Sequence, residues 1–214
     1  MKILIVGFPR SGTSLTHRIF NKHPEIQKMF FETFIIRNYK KKQLVNLYKE
    51  FSPGVGCGEK IIYTKPVIGK QNSMTVIEYC QKWNSFFKEE ARIIQPIRHP
   101  ADSWKSMIKN SVHRKKSGVM KRLYNLYFET IPKYTEIINS FQNCFTFKYE
   151  NLIMNRDEVV KDLFSFCNLP SFNFNERMKK NRVFANKKPP FPLHEKMEQT
   201  LDIFNKFEGP KYDL

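Results

Sequence analysis

Residues 7–14 read GFPRSGTS. The spacing nearly fits the phosphate-gripping pattern G-x-x-x-x-G-K-[ST], with Gly7 and Gly12 in register and Ser14 at the final hydroxyl position. The lysine of that pattern is missing: Thr13 holds its place, and a different cation, Arg10, stands inside the loop. A glycine loop at a strand-to-helix turn points backbone N–H groups at one spot, and the helix start adds roughly half a positive charge there. Such a loop binds phosphate or sulfate without further help. In kinases and ATPases the lysine reaches the β/γ-phosphates and the last Ser/Thr holds Mg²⁺. Thr13 cannot do the first, and no apolar strand ends in a lone aspartate that would support the second.

The loop needs a strand before it and a helix after it. KILIV (2–6) is a short, continuous apolar run rich in branched residues, the pattern of a buried parallel strand. Leu15, Ile19 and Phe20 then recur at helical spacing, which predicts a helix from about Thr13. Downstream, strands are expected at 26–31, 59–64, 91–97 and 144–150, and helices at 41–51, 73–87, from Pro100 onward, 119–140, 156–167 and near 193–207. Pro96 puts a missing N–H near the end of the third of these strands, and Pro132 marks a break in the long helical stretch. Strands alternating with helices predict an α/β fold: a single domain with a central parallel sheet flanked by helices. At 214 residues one domain is the expectation over the whole of 1–214, and 14% aromatic residues argue against disorder.

The formal net charge is +17, from 37 Lys+Arg against 20 Asp+Glu. Such a field attracts anionic substrates and polyanions, although Lys and Asn abundance throughout the chain also fits a compositional bias. The four cysteines, Cys57, Cys80, Cys144 and Cys167, form no C-x-x-C pair, so buried reduced thiols are expected rather than a disulfide scaffold or a zinc site. The apolar start is too short for a signal peptide's core, and no run approaches the ~18 apolar residues of a membrane span. A cytoplasmic protein with no membrane partner is the expectation.

PRSGTS after a first strand resembles the 5′-phosphosulfate loop of the sulfotransferases that use 3′-phosphoadenylyl sulfate (PAPS), whose loop reads P-[KR]-S-G-T-[TS]. That loop lacks the lysine because the donor has no γ-phosphate and needs no Mg²⁺, so no metal is expected. The same family has a 3′-phosphate motif, a strand followed by Arg and, eight residues on, Ser; IIQPIRHPADSWKS supplies Arg98 and Ser106. Arginine grips phosphate with bidentate, charge-assisted bonds, and serine adds a hydroxyl donor. FKYENLIMNRDEVVKDLFSFCNLP resembles a third family region and aligns Tyr149 with a tyrosine that touches the nucleotide.

The resemblance covers residues 3–170 and implies a P-loop-NTPase-like sulfotransferase fold, with its motifs in 1–170 and a helical, basic segment at 171–214. It implies donor binding by Arg10, Ser11, Gly12, Thr13, Ser14, Arg98, Ser106 and Tyr149. HPEIQKMFFETFIIR is similar to a segment of the tyrosylprotein branch and, with one inserted residue, aligns Glu32 with the catalytic carboxylate there. Arg10 is shared with that branch, and Lys65 in IIYTKPV has a lysine counterpart beside the transferring group. Arg10, Glu32 and Lys65 are therefore the implied catalytic residues, and Lys187 and Lys188 in the basic tail are candidates to close over the 3′-phosphate. The implied acceptor is a hydroxyl on a peptide tyrosine or a carbohydrate; the charge suits an acidic peptide or an anionic glycan. Two other classes stay open on the residues. A P-loop kinase would need ATP and Mg²⁺, against which Thr13 argues. A basic nucleic-acid-binding protein would rest on charge alone, since no recognised nucleic-acid motif is present.

Overall fold

An apolar run with no polar face must be covered on both sides, and KILIV becomes the centre of a five-stranded sheet. The computed structural model describes residues 1–31, 56–62, 75–103, 106, 128, 130, 132–174 and 197–207. In chain order the elements are β1 (Lys2–Gly7), α1 (Thr13–Asn21), β2 (Ile26–Phe31), β3 (Gly56–Ile62), α2 (Val76–Phe87), β4 (Ala91–Ile97), β5 (Cys144–Lys148), α3 (Tyr149–Met154), α4 (Arg156–Phe166) and α5 (Met197–Asn205). Residues 100–103 and 132–139 are also helical. The strand order is β2-β3-β1-β4-β5 and every pairing is parallel.

Side chains alternate across each strand. Ile3 and Ile5 of β1 point into a core made with α1, α3 and α4; Leu4 and Val6 point into a second core made with α2, the helical residues 132–139 and α5. Covered faces on both sides are what an all-parallel sheet requires. In the second core Trp83 packs between Tyr79 and Phe87, and its indole N–H donates to the Lys2 carbonyl.

The helix ends follow local chemistry. Thr75 caps α2: its hydroxyl accepts from the Glu78 N–H, and the Glu78 carboxylate accepts from the Thr75 N–H. This T-x-x-E box sets the start at Val76, inside the expected 73–87. α4 stops where Asn168 turns left-handed at φ 51°, letting the Leu169 N–H bond back to the Phe164 carbonyl. The turn from α1 to β2 is held by His23, whose Nδ1 accepts from the Glu25 N–H while Nε2 lies 3.0 Å from the Pro170 carbonyl. A carbonyl only accepts, so Nε2 carries the proton.

Two strand boundaries differ from the sequence expectation. The strand expected at 59–64 begins at Gly56, with 63–64 outside the described residues. The strand expected at 144–150 ends at Lys148, and Tyr149 and Glu150 open α3 instead. The β4–β5 ladder runs out at Ile97–Lys148, so Tyr149 has no strand partner to pair with. The expected helix at 41–51 and half of 119–140 lie outside the described residues. Cys57, Cys80 and Cys167 are buried and Cys144 is half-buried, all as free thiols, and burial pushes Cys144 and Cys167 up to about 12. Among the described residues no helix is long and apolar enough to cross a membrane.

The buried Tyr79 hydroxyl donates to the carboxyl of Glu59, which is fully buried on β3. Tyr79→Phe keeps the packing and removes that donor. It should lower unfolding free energy by about 1–3 kcal/mol in urea titrations, the usual effect of withdrawing a partner from a buried polar group.

Candidate active site

β1 and β4 are neighbours only at their starts. Their ladder joins Lys2–Ile5 to Ala91–Ile94, while β1 stays with β3 as far as Gly7 and β4 stays with β5 as far as Ile97. The sheet therefore parts between β1 and β4 at its carboxyl end. The chain order also reverses there, since β2 and β3 lie on one side of β1 and β4 and β5 on the other. Such a switch point is where open α/β sheets bind ligands. Pro96 lies past the end of the β1–β4 ladder, so its missing N–H costs β1 nothing.

The GFPRSGTS loop fills this opening. A side chain at Gly7 would place a Cβ 2.7 Å from Thr13 Cγ2 and 2.8 Å from Ser11 Oγ, so the loop folds back on its own glycine. Ser11 is buried and bonds the Phe8 carbonyl with both its N–H (3.1 Å) and its hydroxyl (2.8 Å). Arg10 at φ 71° and Gly12 at φ 109° are both left-handed, the alternation that curls successive N–H groups toward one concavity. Thr13, in the lysine position, is buried against Gly7. Ser14 alone of the loop's three hydroxyl residues is exposed.

The second expected element meets the first. Arg10 Nε donates to Ser106 Oγ at 2.9 Å, and Arg98 Nη1 lies 3.4 Å from the Arg10 carbonyl. The Arg98 guanidinium stacks over the Tyr149 ring, 4.8 Å from its centroid. The same ring covers Gly12 so closely that a Cβ there would sit 2.6 Å from Tyr149 Cδ2. Glu150 Oε1 accepts from the His99 N–H at 3.1 Å and lies 4.0 Å from Arg98 Nε, so one buried carboxylate holds both the turn after β4 and its arginine. Arg10, Gly12, Arg98, Ser106 and Tyr149 thus form one cluster across the β1–β4 opening. Glu32, Lys65, Lys187 and Lys188 lie outside the described residues.

Two charged residues join the site that the motifs did not name. Glu150 is the anchor just described; its signal was the Y-E pair, of which only the tyrosine was singled out. Lys60 is buried on β3, and its ammonium donates to Ser14 Oγ at 3.3 Å. A charge inside the apolar stretch G-C-G-E-K-I-I was its only trace in the sequence. Burial holds His17, one turn beyond Ser14, below the usual histidine value; the Lys60 charge acts in the same direction and the Met29 carbonyl against it. Desolvation likewise holds Lys148 below the usual lysine value, with Glu150 opposing. Among the described residues no group of three or more His, Cys, Asp or Glu is arranged to hold a metal ion.

Gly12→Ala places a side chain both in a left-handed backbone and against Tyr149. It should destabilise the fold by roughly 1–3 kcal/mol in thermal or chemical unfolding. Gly12→Ala in a Tyr149→Ala background should cost less, because the steric part of the penalty is gone.

A family model described as the sulfotransferase domain matches residues 1–203. No curated protein matches the chain in sequence. Among solved structures, the fold is similar to the sulfotransferase domain from the curacin biosynthetic pathway, at 13% identity and TM-score 0.64, covering 97% of this chain and 98% of that one. It is equally similar to the sulfotransferase domain of the Synechococcus PCC 7002 olefin synthase, at 14% identity and TM-score 0.64, covering 98% and 96%. Mouse sulfotransferase SULT7A1 complexed with PAP is similar at 15% identity and TM-score 0.54, covering 96% and 82%. These likenesses place the fold, and the match over nearly the whole chain places the sequence: this protein belongs to the sulfotransferase-domain family, whose enzymes transfer sulfuryl groups.

Proposed function

We propose that the protein moves the sulfuryl group of PAPS to a hydroxyl acceptor and releases adenosine 3′,5′-bisphosphate. The observation that carries this reading is the meeting of Arg10 with Ser106 and Arg98: the loop and the Arg/Ser element form one hydrogen-bonded cluster. A donor with a 5′-phosphosulfate and a 3′-phosphate needs two anion sites close together. The mouse relative in complex with PAP is in keeping with such a ligand.

In this reading the loop N–H groups from Ser11 to Ser14 and the Ser14 hydroxyl receive the 5′-phosphate, with the start of α1 behind them. Arg98 and Ser106 take the 3′-phosphate, and Tyr149 lies against the nucleoside. The S–O bond to the 5′-phosphate oxygen breaks as a new S–O bond forms to the acceptor. Negative charge builds on the leaving phosphate, where Arg10 and Lys65 act as fixed cations. Glu32 takes the acceptor's proton. The net charge of +17 favours an acidic peptide, with tyrosine as the acceptor, or an anionic glycan.

Labelled PAPS offered with a panel of tyrosine peptides, glycans and phenols tests the reaction, and calorimetry with adenosine 3′,5′-bisphosphate tests the site. Transfer without added metal and tight bisphosphate binding are expected; the absence of both overturns the reading. Arg98→Ala should weaken bisphosphate binding roughly ten- to a hundredfold, the scale of a lost charged hydrogen bond, while kcat changes little. Glu32→Gln should cut kcat by about 10²–10⁴, the usual worth of a general base, with bisphosphate affinity intact. An unchanged kcat would remove Glu32 from that role.

A further inference from the structure

Consecutive residues on β3 carry opposite charges into opposite cores. Glu59 pairs in register with Leu4 and meets Tyr79 of α2; Lys60 pairs with Ile5 and lies on the face covered by α1. Lys60 sits between two strands, with Ile5 on one side and Phe31 on the other, and is 0% exposed. Burying an ammonium costs several kcal/mol unless its surroundings compensate, and a methionine of similar length would pack the same stem without that cost. A lysine there calls for a use of its charge.

The contact with Ser14 supplies one. Ser14 lies in the first turn of α1 on the exposed side of the loop, and Lys60 Nζ reaches it from β3. An ammonium only donates, so the Ser14 oxygen is the acceptor. A hydroxyl that accepts on one side keeps its own proton free to donate on another. The bond thereby leaves the Ser14 proton available to the loop and sets a positive charge beside it, where Thr13 supplies none.

We infer that Lys60 is a positioning residue for the loop's anion: it polarises and orients the Ser14 hydroxyl toward a 5′-phosphate, from a strand outside the loop. This rests on the reading of the loop as a donor site. Lys60 acts only on the 5′ end of the donor, since its partner Ser14 belongs to the loop and the 3′ element is built from Arg98 and Ser106.

The test compares two ligands by calorimetry, adenosine 3′,5′-bisphosphate and adenosine 3′-monophosphate, on the wild type and on Lys60→Met, Ser14→Ala and the double variant. Lys60→Met should weaken the bisphosphate roughly ten- to a hundredfold, as for a lost charge-assisted interaction. The monophosphate should stay within about twofold, the ordinary scatter of independent sites. Its melting temperature should not fall, since the charge is replaced by an apolar stem of similar length. Ser14→Ala should show the same selectivity, and the double variant should be no weaker than the weaker single one, because both remove one interaction. Equal weakening of both ligands, or unchanged bisphosphate binding in Lys60→Met, overturns the inference. Should Lys60→Met not fold, Ser14→Ala decides: unaltered bisphosphate affinity there overturns it. A wild type that binds neither ligand overturns the proposed function and this inference together; a wild type that binds the bisphosphate, with variants that match it, overturns the inference alone.

Discussion

The parting of β1 from β4 after Ile5 and Ile94 is the constraint on which the site depends. Had the ladder continued to Gly7, backbone groups that now surround the loop would be consumed by the sheet. Because it stops, β1 can hand its last residues to a tight glycine turn while β4 carries Arg98 past it on the other side. The sheet holds both ends rigidly, since each strand keeps its outer neighbour to the end: β1 keeps β3 and β4 keeps β5. Two elements far apart in sequence, the glycine loop and the Arg98/Ser106 segment, are thereby held within one hydrogen bond of each other.

Glycine is required at two points of this arrangement for different reasons. Gly7 leaves room for Thr13 and Ser11 to fold over the strand end. Gly12 leaves room for Tyr149, a residue from the far side of the opening, and also has a left-handed backbone. Tyr149 in turn presents its other neighbour, Arg98, to the same space. The corner between β5 and α3 is thus part of the site's wall, and this is why the strand must end at Lys148: a helical turn there sets Tyr149 over Gly12 and Glu150 behind Arg98.

Much of this was legible in the sequence. The bounds of β2 and β4 match the strands expected at 26–31 and 91–97, the second an apolar run, and the loop declared itself by two glycines in register. Arg98 and Ser106 were named by their likeness to a family motif, and the structure brings them to the loop. The residues that escaped were charges whose burial only tertiary packing reveals. Glu59 and Lys60 read as the polar start of a strand, yet both are enclosed, because β3 lies inside the sheet between β1 and β2. His23 and Pro24 pointed toward a family likeness, whereas the visible work of His23 is to latch the α1–β2 turn to Pro170. The Thr75–Glu78 box sets the start of α2 three residues later than the apolar spacing alone gave.

Arg10 shows how the loop's charge and its strain are connected. A left-handed backbone at a residue with a Cβ costs about 1 kcal/mol, and glycine would remove that cost. Glycine would also remove the guanidinium. In the observed conformation Nε meets Ser106 while the carbonyl of the same residue faces Arg98, so the strained residue is tied at both its side chain and its backbone. The cost is therefore met by contacts with Ser106 and Arg98 rather than by the loop itself. Thr13, packed inward against Gly7, leaves the conventional lysine position without a cation. Among the described residues, positive charge at the opening comes instead from Arg10 in the loop after β1, Arg98 just past β4 and Lys60 on β3 beneath Ser14, on or next to three parallel strands whose spacing the sheet fixes.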